Sequence, residues 1–228
     1  MESIDRFTSI ASLIGEPARA RILWSLLDGR AYTAGELALT ANLSPQSASN
    51  HLSRMIDAGL LKVEKQGKHR YYRYAKDKVA YAVEALSNLM PSPMKEGPAP
   101  VLNNGDIRFA RTCYDHLAGK VAVKITHGLL VQKIIRPEED EYRLTTRGVQ
   151  WFEDLGIGIA GLQQQKRHFA KPCLDWTERK HHLAGALGAA LLDHMLNQNW
   201  LRRKPQERTV IMTGKGEKAL AGLGISLI

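Results

Sequence analysis

Residues 33–74 constrain this chain more than any other stretch. The spacing predicts a short helix from Thr33 to Ala41, a second from Ser44 to Ala58, and a basic β-hairpin from Leu60 to Tyr74 that turns at Gly67. Thr33 and Glu36 stand at capping-box spacing. Ser44 is a strong N-cap residue, and Pro45 follows at the first helical position, where its missing N–H costs nothing. Gly59 falls where the second helix needs a left-handed residue to stop. A helix, a tight turn, a helix and a basic hairpin in that order describe a winged helix-turn-helix, which places one helix in the major groove of DNA.

The second helix has two faces. Ala48, Leu52, Met55 and Ile56 fall at i, i+4, i+7 and i+8 and are expected inward. Gln46, Ser47, Ser49, Asn50, Ser53 and Arg54 are left outside, and their amide, hydroxyl and guanidinium groups suit base edges and phosphates. A solvated amphipathic helix has the same pattern, so the hairpin decides. It carries Lys62, Lys65, Lys68, His69, Arg70 and Arg73 against Glu64 alone. The candidate DNA-contacting residues are therefore Ser44, Gln46, Ser47, Ser49, Asn50, His51 and Arg54 on the helix, with Lys65, Lys68, His69 and Arg70 on the hairpin.

The whole-chain charge points the same way. A net charge of +9 and a pI near 9.6 favour an anionic partner, and double-stranded DNA fits the motif. A membrane surface is the rival, weakened by the lack of a basic amphipathic segment with exposed Trp or Phe and of a lipidation motif. No run of about 18 apolar residues predicts a transmembrane helix. The opening Met-Glu-Ser-Ile-Asp-Arg is acidic early and lacks an apolar core, so no signal peptide and a cytoplasmic location are expected. In that compartment Cys113 and Cys173 are expected as thiols.

Further along, Ile4, Phe7, Ala11 and Ile14 make an apolar stripe on an N-terminal helix. A second helix is expected from Pro17 to Leu27, with Ala18, Ile22, Leu23 and Leu26 inward. Ala82, Leu86, Leu89 and Met90 form another stripe after the hairpin, and the first and last stripes offer a dimer seam. Residues 1–90 are thus expected as a winged-helix domain. Residues 91–105 hold Pro91, Pro93, Pro98 and Pro100, then Asn103, Asn104 and Gly105, and read as a stiff linker.

Residues 106–228 contain an internal repeat. Phe109-Ala110-Arg111-Thr112-Cys113-Tyr114-Asp115 recurs as Phe169-Ala170-Lys171-Pro172-Cys173-Leu174-Asp175, and His116-Leu117-Ala118-Gly119 recurs as His182-Leu183-Ala184-Gly185. Leu155-Gly156-Ile157 recurs as Leu223-Gly224-Ile225. The two copies, 106–160 and 166–228, each read as helix, hairpin and closing helix. Hairpin strands are expected at Gly128–Ile135 and Glu141–Thr145, then at Trp200–Arg203 and Arg208–Met212. Neither copy has a polar recognition helix, since Ala186, Leu187, Ala189, Ala190, Leu191 and Leu192 are too apolar to lie in a groove. The expected fold is mainly α with β-hairpin wings, an α+β chain. It joins an N-terminal winged helix-turn-helix to a C-terminal sensor or assembly domain of two degenerate winged-helix-like repeats.

Residues 1–75 resemble the ArsR family of bacterial winged-helix repressors. The resemblance rests on Gly15-Glu16-Pro17-Ala18-Arg19-Ala20-Arg21-Ile22-Leu23, on Glu36-Leu37-Ala38 and on Ser44-Pro45-Gln46-Ser47-Ala48-Ser49-Asn50-His51-Leu52. Ala58-Gly59-Leu60-Leu61 and the wing Gly67-Lys68-His69-Arg70-Tyr71-Tyr72-Arg73 complete it. It implies a homodimer joined through the first and last helices of that domain. It also implies binding to a short inverted repeat, with DNA affinity lost when a signal arrives. Metal-sensing members often carry cysteines in the helix that here holds Glu36-Leu37-Ala38-Leu39-Thr40, and this chain has none there. The remaining residues resemble the C-terminal region of longer ArsR-like regulators.

The candidate sensor residues are Cys113, Asp115 and His116 in the first copy and Cys173, Asp175, His181 and His182 in the second. Cys, His and carboxylate are ligand types for zinc or another metal. The alternative is a small buried cysteine, a helix-capping aspartate and a satisfied histidine in each copy, and the Asp175/Glu178 spacing favours it. Metal, redox and small-molecule effectors stay open. No phosphate loop, paired-histidine zinc motif or nucleophile elbow appears, so an enzyme is not expected. A thiol-based enzyme or redox sensor using Cys113 and Cys173 is one alternative. An architectural DNA-binding protein without effector is another, opposed by the long apolar repeat.

Overall fold

The computed structural model describes residues 2–90 and 102–227. The chain divides into two compact units, Met1–Ser87 and Asn88–Ile228. Most of the Pro-rich stretch, residues 91–101, lies outside the described residues.

The first unit runs α1 (Glu2–Gly15), α2 (Pro17–Ser25), a 3-10 turn (Leu26–Asp28), β1 (Tyr32–Thr33), α3 (Ala34–Ala41), α4 (Pro45–Asp57), β2 (Leu61–Gln66), β3 (His69–Tyr74) and α5 (Asp77–Ser87). Its local signals act as their chemistry requires. Thr33 Oγ1 accepts from the Glu36 N–H, and the Glu36 carboxylate accepts from the Thr33 N–H, so both arms of the capping box are made. Ser44 Oγ accepts from the Ser47 N–H at the start of α4. Gly59, at φ +71°, ends that helix, and the Leu60 N–H donates to Met55 O at 2.9 Å. The core joins Ile22, Leu23 and Leu26 to Leu37, Ala48, Leu52 and Met55. The sheet has the order β1-β3-β2, and Tyr74 at its inner end donates to Leu23 O at 2.5 Å.

α1 buries no residue of its own. Arg19 holds its last turn, donating to Leu13 O at 2.6 Å and Ser12 O at 3.1 Å. Ile4 and Phe7 stand 68% and 74% exposed. On α5 the buried positions include Ala80 and Val83, so the Ala82 and Leu86 stripe faces outward, and Leu89 and Met90 lie beyond the helix end.

The second unit uses one element order twice. First come β4 (Arg111–Cys113), β5 (His116–Ala118), α6 (Lys120–Val131), β6 (Ile135–Glu138), β7 (Glu141–Leu144) and α7 (Thr146–Asp154). After a short helix α8 (Ile159–Gln163) come β8 (Lys171–Leu174), β9 (His181–Ala184), α9 (Gly185–Asn197), β10 (Leu201–Arg203), β11 (Val210–Met212) and α10 (Gly214–Gly222). Equivalent atoms make equivalent bonds. Lys120 N–H and Val121 N–H donate to Arg108 O and Phe109 O, as Ala186 N–H and Leu187 N–H donate to His168 O and Phe169 O. Gly119 and Gly185 sit at φ +88° and +83°, where a Cβ would meet the Arg108 and His168 carbonyl oxygens at 2.8 and 2.7 Å. Thr145 and Thr213 cap α7 and α10 by accepting from Gly148 and Gly216 N–H at 3.0 Å each.

Two expectations need correction here. Gly128–Val131 is the last turn of α6, not strand, because the Val121, Ile125 and Leu129 stripe carries the helical period through it. The chain leaves that helix at Lys133, φ +55°, and the strand starts at Ile135. A short hairpin also precedes each long helix, and it holds the Cys/Asp/His segment. Asp175 therefore caps no helix. Its carboxylate accepts from the Thr177 and Glu178 N–H groups within the β8–β9 turn.

One core serves both copies. Val121, Ile125 and Leu129 of α6 and Phe152 of α7 join Leu187 and Leu192 of α9 and Leu220 of α10. Gly188 of α9 lets that helix approach the hairpins: a Cβ there would stand 2.5 Å from Leu183 O and 3.4 Å from His116 Cβ.

Candidate functional site

Helix α4 turns Ala48, Leu52 and Met55 into the core, with Ile56 half-buried. Gln46, Ser49, Asn50, Ser53 and Arg54 are exposed on its outer face. Ser47 is half-buried, and Ser44 is spent on the N-cap. His51 departs from the expected DNA-facing set. Its Nδ1 lies 3.5 Å from the Glu16 carboxylate and 3.4 Å from Arg19, so the ring is turned toward α2. Glu16 in turn caps α2 by accepting from Ala18 and Arg19 N–H. Burial raises the Glu16 pKa, but those two N–H groups and the charges of His51 and Arg19 bring it below the usual value.

The wing stands beside α4. Strands β2 and β3 pair in antiparallel register, Lys65 opposite Arg70 and Gln66 opposite His69, with Gly67 at φ +60° in the turn. Lys65, Lys68, His69 and Arg70 are all exposed. Lys62 and Arg73 share Glu64, at 3.2 and 3.6 Å, so the hairpin's acidic group is answered near its base and the tip stays cationic.

In the second unit the repeated segments converge. Cys113 pairs with His116 across β4–β5, and Cys173 pairs with His182 across β8–β9. Directly opposite residues of an antiparallel pair share one face. β5 and β9 pack against each other, and one ligand atom from each of Cys113, His116, Cys173 and His182 lies within 4.8 Å of the other three. The two histidines approach Nε2 to Nε2 at 3.1 Å. Cys113, His116 and His182 are buried and Cys173 half-buried.

Asp115, Asp175 and His181 lie outside this group of four. His181 is exposed because it neighbours His182 on the strand and points to the opposite face. Asp115 lies behind His116, 3.4 Å from its Nδ1, and is held by Arg167 at 2.5 Å. Burial opposes the charged Asp115, yet bonds from His116 and Arg167 bring its pKa down to about 2. Asp175 is fully buried and paired with the equally buried Arg111 at 2.9 Å. It also accepts from Gly119 N–H at 2.7 Å, so it joins the two copies. Burial would raise the Asp175 carboxyl, and Arg111, Thr177, His182 and the Glu178 N–H hold it well below the carboxylate range. The sequence had singled out neither Arg111 nor Gly119 for a part in this site. Their repetition as Lys171 and Gly185 is the signal that marks the positions.

Comparison with known proteins sets the chain in a family. A model of the helix-turn-helix domain matches residues 14–64, which span α2, α3 and α4. The uncharacterized HTH-type transcriptional regulator YdfF of Bacillus subtilis (strain 168) is 44% identical over 210 residues, 92% of this chain and 93% of that protein. The chain belongs to the HTH-type transcriptional regulators. The biofilm growth-associated repressor of Agrobacterium fabrum is 30% identical over 91 residues, 39% of this chain and 77% of that protein. The crystal structure of NolR from Sinorhizobium fredii matches at 28% identity with a TM-score of 0.36, covering 39% of this chain and 87% of that one. The likeness to YdfF, at 92% of the chain, thus takes in the second unit. The first unit has the winged helix-turn-helix fold, and the helix-turn-helix match falls within it.

Proposed function

We propose that two copies of the chain bind an inverted repeat in double-stranded DNA and repress transcription from it, releasing the DNA when a signal reaches the second unit. The observation that carries this reading is the exposed face of α4 beside the cationic wing tip. Gln46 and Asn50 have the donor and acceptor pair that reads adenine in the major groove, and Arg54, Lys68 and Arg70 suit phosphates or guanine. The exposed Ile4 and Phe7 of α1 and Leu86 of α5 supply an apolar seam for a second copy. Two-fold symmetry then sets the recognition helices about one DNA turn apart. Selection of genomic fragments by the purified protein tests this. A common palindromic motif is expected, and its absence overturns the reading.

A further inference from the structure

We propose that Cys113, His116, Cys173 and His182 bind one zinc ion, which clips the two hairpins β4–β5 and β8–β9 together. The argument starts from geometry. Each hairpin contributes one thiol and one imidazole at directly paired positions, and the four donor atoms fall within 4.8 Å of one another. A tetrahedral zinc with bonds of about 2.0–2.1 Å to nitrogen and about 2.3 Å to sulfur has N···N edges of about 3.3 Å and S···S edges of about 3.8 Å. The observed Nε2···Nε2 separation of 3.1 Å is close to such an edge.

The chemistry of the donor set selects the ion. Two sulfurs and two imidazoles exclude the oxygen-seeking Mg2+ and Ca2+ and match a closed structural zinc site. Binding releases one proton from each thiol, so two thiolates neutralise the dication and the buried site carries no net charge. Both histidines have a carboxylate behind them, Asp115 at 3.4 Å from His116 Nδ1 and Asp175 at 3.6 Å from His182 Nδ1. At His116 this is the arrangement that holds a ligating imidazole with its other nitrogen toward the metal, whereas His182 Nδ1 makes no hydrogen bond among the described residues and meets Asp175 only as a nearby buried charge. Neither carboxylate is loose: Arg167 holds Asp115, and Arg111 with Gly119 N–H holds Asp175. The duplication explains how the site arises. Each copy supplies half of a ligand set, and the set is complete where the copies face each other. It differs in place from any site on α3, which has no cysteine.

The test is elemental analysis of the full chain, purified under reducing conditions from zinc-supplied cells. About one zinc per chain is expected for a four-ligand site, and none in the Cys113→Ser/Cys173→Ser variant. Replacing zinc by Co2+ in the wild type should give thiolate-to-cobalt charge-transfer bands and the intense visible bands of tetrahedral cobalt. Cys173→Ser, at the half-buried ligand, should weaken the charge transfer by about half as one of the two thiolates is removed. The wild-type spectrum does not depend on any variant folding. Metal-free protein that shows no such spectrum with added Co2+ overturns the proposal. So does zinc that persists in the double variant, or a Cys113–Cys173 disulfide in place of the metal.

Discussion

The two units use the same sequence of elements, a helix, a hairpin and a helix, for opposite ends. In the first unit α4 keeps Gln46, Ser49, Asn50, Ser53 and Arg54 outside, and the hairpin after it carries a cationic tip. In the second unit α6 and α9 fill the same place before their hairpins, but they bury Val121, Ile125, Leu187 and Leu191. The β6–β7 tip is acidic, with Glu138, Glu139, Asp140 and Glu141. The β10–β11 hairpin is basic: Lys204 pairs with Glu207 and the Arg208 guanidinium donates to Thr112 O at 2.7 Å, while Arg202 and Arg203 are exposed. Element order therefore does not make a DNA reader. The first unit differs by an unburied polar helix face beside its cationic hairpin tip, and where that face is missing the same elements close on each other around a core and a polar cluster.

The largest effect that sharpens this contrast is expected at the buried pair in the second unit. Arg111→Ala leaves Asp175 buried without its guanidinium. Stability measured by urea unfolding should fall by about 3–5 kcal/mol, the usual cost of breaking a buried pair from one side. The sequence preference for DNA should be unchanged. A drop under about 1 kcal/mol, well short of that cost, would mean that the Arg111 guanidinium adds little to holding the two copies together.

Next come the paired glycines. Gly119→Ala and Gly185→Ala each force a side chain into left-handed backbone against a carbonyl oxygen, at 2.8 and 2.7 Å. Each should cost about 1–3 kcal/mol or more, and the two costs should match. A large cost at one position and none at the other would break the equivalence of the copies.

A smaller effect is expected in the first unit. Thr33→Ala removes the capping box of α3 and should lower stability by about 0.5–2 kcal/mol in thermal unfolding.

The first unit was legible residue by residue because its signals are local. The Thr33/Glu36 box, the Ser44 cap and the Gly59 stop are each fixed within one turn of helix. The orientation of His51 was not legible, since it depends on Glu16 and Arg19 of a separate helix. The outward stripe of α5 was visible as a pattern, whereas the buried Ala80 and Val83 emerge only from its packing. In the second unit the repeat identified equivalent cysteines and histidines without showing that they meet. That meeting requires the strand register, which separates His182 from His181, and the packing of β5 on β9. Neither is written in local spacing.

The most direct measurement compares two hairpins in one DNA-binding titration across salt concentrations. Lys68→Ala/Arg70→Ala alters the wing, and Arg202→Ala/Arg203→Ala alters the basic hairpin of the second unit. The wing variant should bind the selected motif more weakly, with a salt slope smaller by about 0.9 for each phosphate that the wing no longer neutralises. The second variant should keep both affinity and slope. Equal weakening in the two variants, or weakening confined to the Arg202/Arg203 variant, would contradict the account.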